Sequence, residues 1–263
     1  MVDLHFHVLH GIDDGPDSLS EAVRLVRAAI RTGIVEIVAT PHVSWRYDNS
    51  SAAIGKALVQ LNNALVREAL VPDKMRPIRQ GAEIAATRIP DLDDRELSAL
   101  ALGAGSWLLV EPPFAAAVSG LDGVVADLHR RGYRVLLAHP ERCPAFHRDP
   151  ELLRRLIDAG ALTSITAGAL VGRFGGAVQR YARALAEAGL IHNVASDAHD
   201  LRTRPPGIAA ELESAGLAPL AEWLTQQVPR AILDGAEAIP PRPSARLSLR
   251  GRKWRWPRMR LRI

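Results

Sequence analysis

Seven short apolar runs, most of them followed by a longer amphipathic stretch, set the frame into which this 263-residue chain can fold. The runs are VDLHF at 2–6, IVEIVA at 34–39, RPIRQGA at 76–82, SWLLV at 106–110, RVLLA at 134–138, LTSIT at 162–166 and IHNVA at 191–195. Several are rich in valine, isoleucine and leucine, as strands buried on both faces must be. The stretches between them follow the helical period. In the first, Ser18 and Glu21 have capping-box spacing, Ala22, Leu25, Val26, Ala29 and Ile30 share a face, and Gly33 stands where the helix would end. The segments after Asp48, Leu121, Pro150 and Gly176 look similar, and the one that begins near Ser119 ends at Gly132. Regular alternation of strand and helix predicts an α/β fold with a parallel sheet, open or closed. Polar residues follow almost every strand instead of gathering at one switch point, which favours a closed (β/α) barrel. No G-x-G-x-x-G and no Walker-type glycine loop is present, so a nucleotide cofactor has no support.

The residues at the predicted strand ends are nearly all imidazoles or carboxylates. They are His5 and His7, His42 in ATPH, Glu83 in GAE, Glu111 in LLVEPP, His139 in LLAHPER, and Asp197 with His199 in ASDAH. In a strand, i and i+2 project to the same face, so His5 and His7 can grip one ion, as can Asp197 and His199. Any one of these would pass as a structural histidine or a solvated loop charge. Together, at the mouth of a barrel, they would be a costly accumulation of polar groups unless they hold metal. Glu83 and Glu111 can bridge ions, so two or three divalent cations are expected. Nitrogen and oxygen donors without thiolate suit manganese, zinc or iron. His10, His129, His147 and His192 lack such company and are left out of the set.

The chain is 48% hydrophobic, enough for one large domain, placed at 1–239. No run approaches the roughly 18–20 apolar residues of a membrane span, and the N-terminus lacks the basic and apolar regions of a signal peptide, which points to the cytoplasm. The single cysteine, Cys143, excludes an internal disulfide and any cysteine-rich zinc cluster. The net charge of +4 is deceptive, because residues 240–263 carry eight arginines, one lysine and no acid, which leaves the rest of the chain at −5. This segment opens as a proline-rich, linker-like IPPRPSAR and continues as LRGRKWRWPRMRLRI. The plainer reading is a flexible, solvated terminus. The sharper one is adhesion to an anionic membrane surface or an acidic partner through arginine stems and tryptophan rings. A basic run alone is weak support for nucleic acid, and none is expected as a partner.

The motifs DLHFHVLHGIDDG, ATPH, GAE, the LLVEPP glutamate, AHPER, TAGALVGRFG and SDAHDLRTRPP run from residue 3 to 206. They resemble the PHP (polymerase and histidinol phosphatase) superfamily, and within it the manganese-dependent bacterial tyrosine-protein phosphatases of capsule and exopolysaccharide synthesis. One departure is visible: Val43 stands where the family usually has a second histidine after Pro41 and His42. The resemblance implies a distorted (β/α)7, TIM-like barrel with a trinuclear, manganese-first site. By motif, His5, His7, Glu83 and Asp197 would surround one ion, Glu83, Glu111 and His139 a second, and His42, His199 and Asp13 a third. Asp14 would orient a water or donate a proton.

Close divalent ions favour hydrolysis of phosphate esters, with activated water attacking phosphorus directly. Arg142 in HPER and Arg204 in RTRPP stand just beyond ligands, where forked guanidiniums can hold phosphoryl oxygens, and Arg204 matches the family's arginine before the paired prolines. Cysteine-phosphatase chemistry is excluded, since C-P-A-F-H-R leaves four residues between Cys143 and Arg148 where a phosphate cradle needs five. The expected substrate is a phosphotyrosine protein, through the resemblance a membrane-associated bacterial tyrosine kinase, with the basic tail holding the enzyme at the inner membrane face. The alternatives are a small-molecule phosphatase acting on histidinol phosphate, a PHP nuclease disfavoured by the acidic body, and a non-catalytic, metal-stabilised binding module.

Overall fold

The computed structural model describes residues 1–70, 75–236, 238–245 and 247. The described residues form nine strands: β1 Val2–Phe6, β2 Glu36–Ala39, β3 His42–Val43, β4 Arg79–Gln80, β5 Glu83–Ala85, β6 Trp107–Glu111, β7 Arg134–Ala138, β8 Leu162–Thr166 and β9 Asn193–Ala195. Each expected run yields a strand, and β3 and β5 are additions that the runs do not announce. Both follow a break. Pro41 has no N–H to donate to a ladder, which separates β2 from β3. Gly81 separates β4 from β5 at a close approach, where an added Cβ would lie 2.7 Å from Val38 Cγ1.

The strands form two parallel sheets, ordered β1-β2-β4 and β3-β5-β6-β7-β8-β9. The register sets candidate residues level with one another: His42 pairs with Glu83, and Ala85 with Glu111. The chain leaving β9 meets the end of β1. Phe6 and Ala198 form a parallel bridge, His7 N donates to Ala198 O at 2.9 Å, and Asp197 N donates to His5 O at 2.9 Å. The buried Asp3 carboxylate reinforces this junction by accepting from Ser196 N at 3.2 and 3.3 Å.

The described helices are α1 Leu19–Arg31, α2 Ser51–Arg67, α3 Asp94–Leu100, α4 Leu121–Arg130, α5 Pro144–Arg148, α6 Pro150–Asp158, α7 Ala167–Leu170, α8 Gly176–Glu187, α9 Ala209–Ser214 and α10 Val228–Leu233. In α1, Ser18 Oγ accepts from Glu21 N at 3.3 Å, while the Glu21 carboxylate reaches one residue further back, to Asp17 N at 3.1 Å. Its buried face is Ala22, Val23, Leu25, Val26 and Ala29, close to the face that the period predicts. These helices cover strands whose side chains are fully buried, such as Val2, Leu4 and Phe6 on β1 and Leu108, Leu109 and Val110 on β6.

The segment expected to be a flexible linker begins as a docked one. Trp223 Nε1 donates to Pro240 O at 2.9 Å, Arg242 donates to Ala186 O at 3.3 Å, and Ala245 and Leu247 pack against the core. Residues 248–263, with both tail tryptophans, lie outside the described residues. Among the described residues no helix is long and apolar enough to cross a membrane.

Candidate metal centre

Strand alternation turns Leu4 and Phe6 away from His5 and His7, and both histidines are buried. His42 opens β3, Glu83 opens β5, Glu111 ends β6, His139 follows β7, and Asp197 and His199 follow β9. Because every strand is parallel, and β3 and β5 begin just past the ends of β2 and β4, these positions gather on one side. Two of them require unusual backbone: His139 has φ 30° and Asp197 φ 53°, left-handed values that side chains other than glycine adopt at a cost and that recur at functional sites.

Glu83 is the hub. Its Oε2 lies 3.2 Å from His5 Nε2, 3.2 Å from His7 Nε2 and 3.1 Å from His42 Nδ1, and its Oε1 lies 2.7 Å from His139 Nε2. Glu111 stands 3.7 Å from His139 Nε2 and 4.0 Å from His42 Nδ1. Asp197 Oδ1 is 3.4 Å from His5 Nε2. Four sets of donor atoms, each set within 4.8 Å, result: His5, His7 and Glu83; His5, His139 and Asp197; His42, Glu83 and Glu111; and His7, Asp14, His42 and His199.

Asp13, expected as a ligand, and Asp14, expected beside a water or as a proton donor, stand in different surroundings. Asp13 Oδ2 accepts from His7 Nδ1 at 2.7 Å and from His42 N at 3.1 Å, and Oδ1 accepts from Gly15 N at 2.9 Å, so its oxygens are spoken for. Asp14, 43% exposed, lies with Oδ1 3.4 Å from His42 Nε2 and 3.3 Å from His199 Nε2. Both arginines are drawn onto the cluster itself. Arg142 Nη1 donates to Asp197 Oδ2 at 2.9 Å, Arg204 Nη2 meets the same oxygen at 2.5 Å, and Arg204 Nη1 donates to His199 Nε2 at 2.8 Å.

The electrostatics are those of a site with too much negative charge in too little water. Burial, with the Glu83 charge added, pushes the Glu111 carboxyl up to about 8. Burial pulls His139 down to about 4 against the attraction of Glu83. Burial opposes charge on Asp197 too, yet His5 and Arg204 hold that carboxyl well below the usual range. For His7, burial is outweighed by Asp13 and Glu83, and the imidazole rises to about 10. Among the buried oxygens, Glu83 Oε2 and Asp197 Oδ1 receive no hydrogen bond although imidazole nitrogens stand around them. A buried carboxylate oxygen left so is expensive in a protein interior and ordinary beside a cation. The donor set therefore fits divalent metal, of the nitrogen- and oxygen-binding kind.

Two residues to which the sequence assigns no task complete the surroundings. Asn49 Nδ2 donates to Ile12 O at 2.9 Å and His42 O at 2.8 Å, pinning the Asp13–Asp14 loop to β3. Glu141 accepts from Thr166 N at 2.9 Å beneath Arg142. An asparagine in a loop carries no spacing signal, and only the packing reveals Asn49, while Glu141 stands inside the HPER motif and takes its task from the packing. His10, His129, His147 and His192 fall in none of the four sets. Cys143 is buried with its thiol pushed up by that burial, the opposite of a nucleophilic thiolate.

Against known proteins, residues 1–215 match the family described as capsular polysaccharide synthesis, CpsB/CapC. The chain is 38% identical over 205 residues to the tyrosine-protein phosphatase YwqE of Bacillus subtilis, covering 78% of this chain and 79% of that protein. With the tyrosine-protein phosphatase CpsB of Streptococcus pneumoniae it shares 28% over 214 residues, 78% of this chain and 86% of the relative. In three dimensions it superposes with a TM-score of 0.80, at 34% identity over 94% of this chain and all of the other, on a chain from crystal structures of YwqE and CpsB described as unique metal-dependent tyrosine phosphatases. Sequence over most of the body and backbone over nearly all of it thus agree, and the chain belongs to the CpsB/CapC family of capsular polysaccharide synthesis proteins.

Proposed function

We propose that the chain is a metal-dependent phosphoric monoester hydrolase acting on phosphotyrosine in proteins. The observation that carries this reading is the convergence of imidazole and carboxylate donors on Glu83, with two guanidiniums at the same carboxylate, Asp197. His5, His7, Glu83, Asp197, His139, Glu111, His42, His199 and Asp14 would hold two or three cations, manganese first, with zinc or iron compatible with the same donors. Bound there, the cations would bring the pKa of water near neutrality and neutralise charge on the phosphoryl group. Asp13 serves as the partner that fixes the His7 ring, the usual task of a carboxylate behind a ligating imidazole. Asp14, held ionised by His199 despite partial burial, suits a ligand better than a proton donor.

Arg142 and Arg204 would take the equatorial phosphoryl oxygens, exchanging one anionic partner, Asp197, for another. The products are a tyrosine hydroxyl and inorganic phosphate. A cleft of about 690 Å³, lined by residues including Glu21, Arg24, His199, Leu201 and Arg202, opens beside His199 and gives room to polypeptide around the phosphorylated side chain. That supports a protein substrate over histidinol phosphate. We further propose that the two sheets act as one distorted, seven-stranded (β/α) barrel, in which β2 with β3 and β4 with β5 each count as one bent strand and the Phe6–Ala198 bridge closes the ring. A bacterial tyrosine kinase at the inner membrane face, approached by a cytoplasmic enzyme through its basic tail, is the partner we favour.

The test is kcat/KM for a phosphotyrosine peptide against histidinol phosphate with manganese supplied. A preference for the peptide of tenfold or more supports the reading. Turnover of histidinol phosphate alone transfers the site to small-molecule chemistry, and turnover of neither favours a binding module.

A further inference from the structure

The proposed chemistry leaves one conspicuous residue without a task. Phe114, three positions past β6, is 50% exposed. Its ring nevertheless stacks on the imidazole of His139, with centroids 5.3 Å apart and planes inclined by 22°. The Arg142 guanidinium lies over the same ring at 5.1 Å and over Phe174 at 4.6 Å. A second aromatic side chain, Tyr47, is stacked on His42 at 5.6 Å with planes inclined by only 6°.

These two imidazoles address different oxygens of the same two carboxylates. His139 faces Oε1 of Glu83 and of Glu111, and His42 faces Oε2 of each. Phe114 and Tyr47 therefore bracket the Glu83–Glu111 pair. They do so where the cluster is most open, since His42, Glu111 and Asp14 have side chains 16%, 15% and 43% exposed while His5, His7 and Glu83 are sealed.

A benzene ring kept half in water beside charged groups gains little for the fold. It is well placed to meet another ring, because aromatic pairs favour offset or edge-on contact with centroids about 4.5–7 Å apart. A phosphoryl group held by Arg142 brings its ester substituent within reach of the ring that covers that guanidinium. An aryl substituent there meets the Phe114 ring, and a short alkyl substituent leaves that ring to water.

We propose that Phe114, with Tyr47 as the opposing wall, makes this site select aryl over alkyl phosphate esters. The inference rests on the phosphatase reading and names the side chains that would set its substrate class.

Calorimetric titration of the manganese-loaded protein with phenylphosphonate and with methylphosphonate, neither of which can be turned over, tests it. The intact protein should bind phenylphosphonate about tenfold more tightly, the scale of one aromatic contact with its buried area. Phe114→Ala should lose most of that preference with methylphosphonate affinity and melting temperature unchanged, and Phe114→Trp should keep it. Equal affinities in the intact protein overturn the proposal. So does an alanine variant in which both affinities fall together, since the ring would then only brace His139 and Arg142. Failure of the intact protein to bind either phosphonate is a different failure, that of the phosphatase reading itself.

Discussion

Asp13 and Asp14 are adjacent and chemically identical, so what separates them is where the loop after β1 puts each carboxylate. Asp13 is held by three donors, one of them the ring it orients, and Asp14 reaches two imidazoles on other strands. Asp13→Ala should keep the number of bound ions and lower manganese affinity by about 10–100-fold, the usual cost of removing the partner behind a ligating histidine. Asp14→Ala should bind one ion fewer. Equilibrium titration with mass-spectrometric metal counts distinguishes them, and the reverse pattern returns Asp13 to the ligand set. His192 supplies a pH test away from the centre. Its Nδ1 accepts from Thr163 N at 3.2 Å, and burial, then Arg242, pull its pKa down to about 4. The unfolded chain therefore binds the extra proton between about 6.5 and 4, and stability is present above that window and lost as pH falls through it. Relative to wild type, His192→Asn should be less sensitive to acid by about 2–3 kcal/mol across those two and a half pH units in chemical denaturation. Parallel pH profiles would contradict this.

Among the elements, the junction of β1 with the chain after β9 matters most, because it brings His5 and His7 to Asp197 and His199. The Asp3 carboxylate, fully buried, holds it through Ser196 N. Asp3→Ala should cost about 1–3 kcal/mol, the penalty of a buried donor left unpaired, and should show as a lower denaturation midpoint at unchanged slope. The same scale shows what reading along the chain can reach. Runs such as RVLLA and LTSIT are legible because a strand buried on both faces must be apolar throughout, and α1 is legible because its period and cap agree. β3 and β5 have two and three residues, too few for any period, and are made by pairing with neighbours distant in sequence. α5, α7, α9 and α10, of four to six residues, are likewise products of tertiary packing. In the site, histidines and carboxylates at strand ends stand out because topology alone makes them converge. Asn49, Phe114 and the division of labour between Asp13 and Asp14 depend on loop conformation, which leaves no periodic trace.

For the whole molecule, the parallel strands deliver one polar cluster beside an apolar core, and the basic tail adds a charge of opposite sign to the acidic body. Because the first tail residues pack on the core through Trp223 and Ala186, truncation belongs after Leu247 and not at Pro240. Removing 248–263 should leave phenyl phosphate hydrolysis unchanged and reduce cosedimentation with anionic vesicles, and undiminished vesicle binding would defeat the membrane role. Whether the Glu83-centred cluster is a catalytic metal centre is decided by stripping the protein of metal and following phosphotyrosine-peptide hydrolysis as manganese is returned. Activity should disappear, recover with two or three ions bound, and fail to recover in Glu83→Ala. Activity that survives metal removal, or that Glu83→Ala retains, would contradict it.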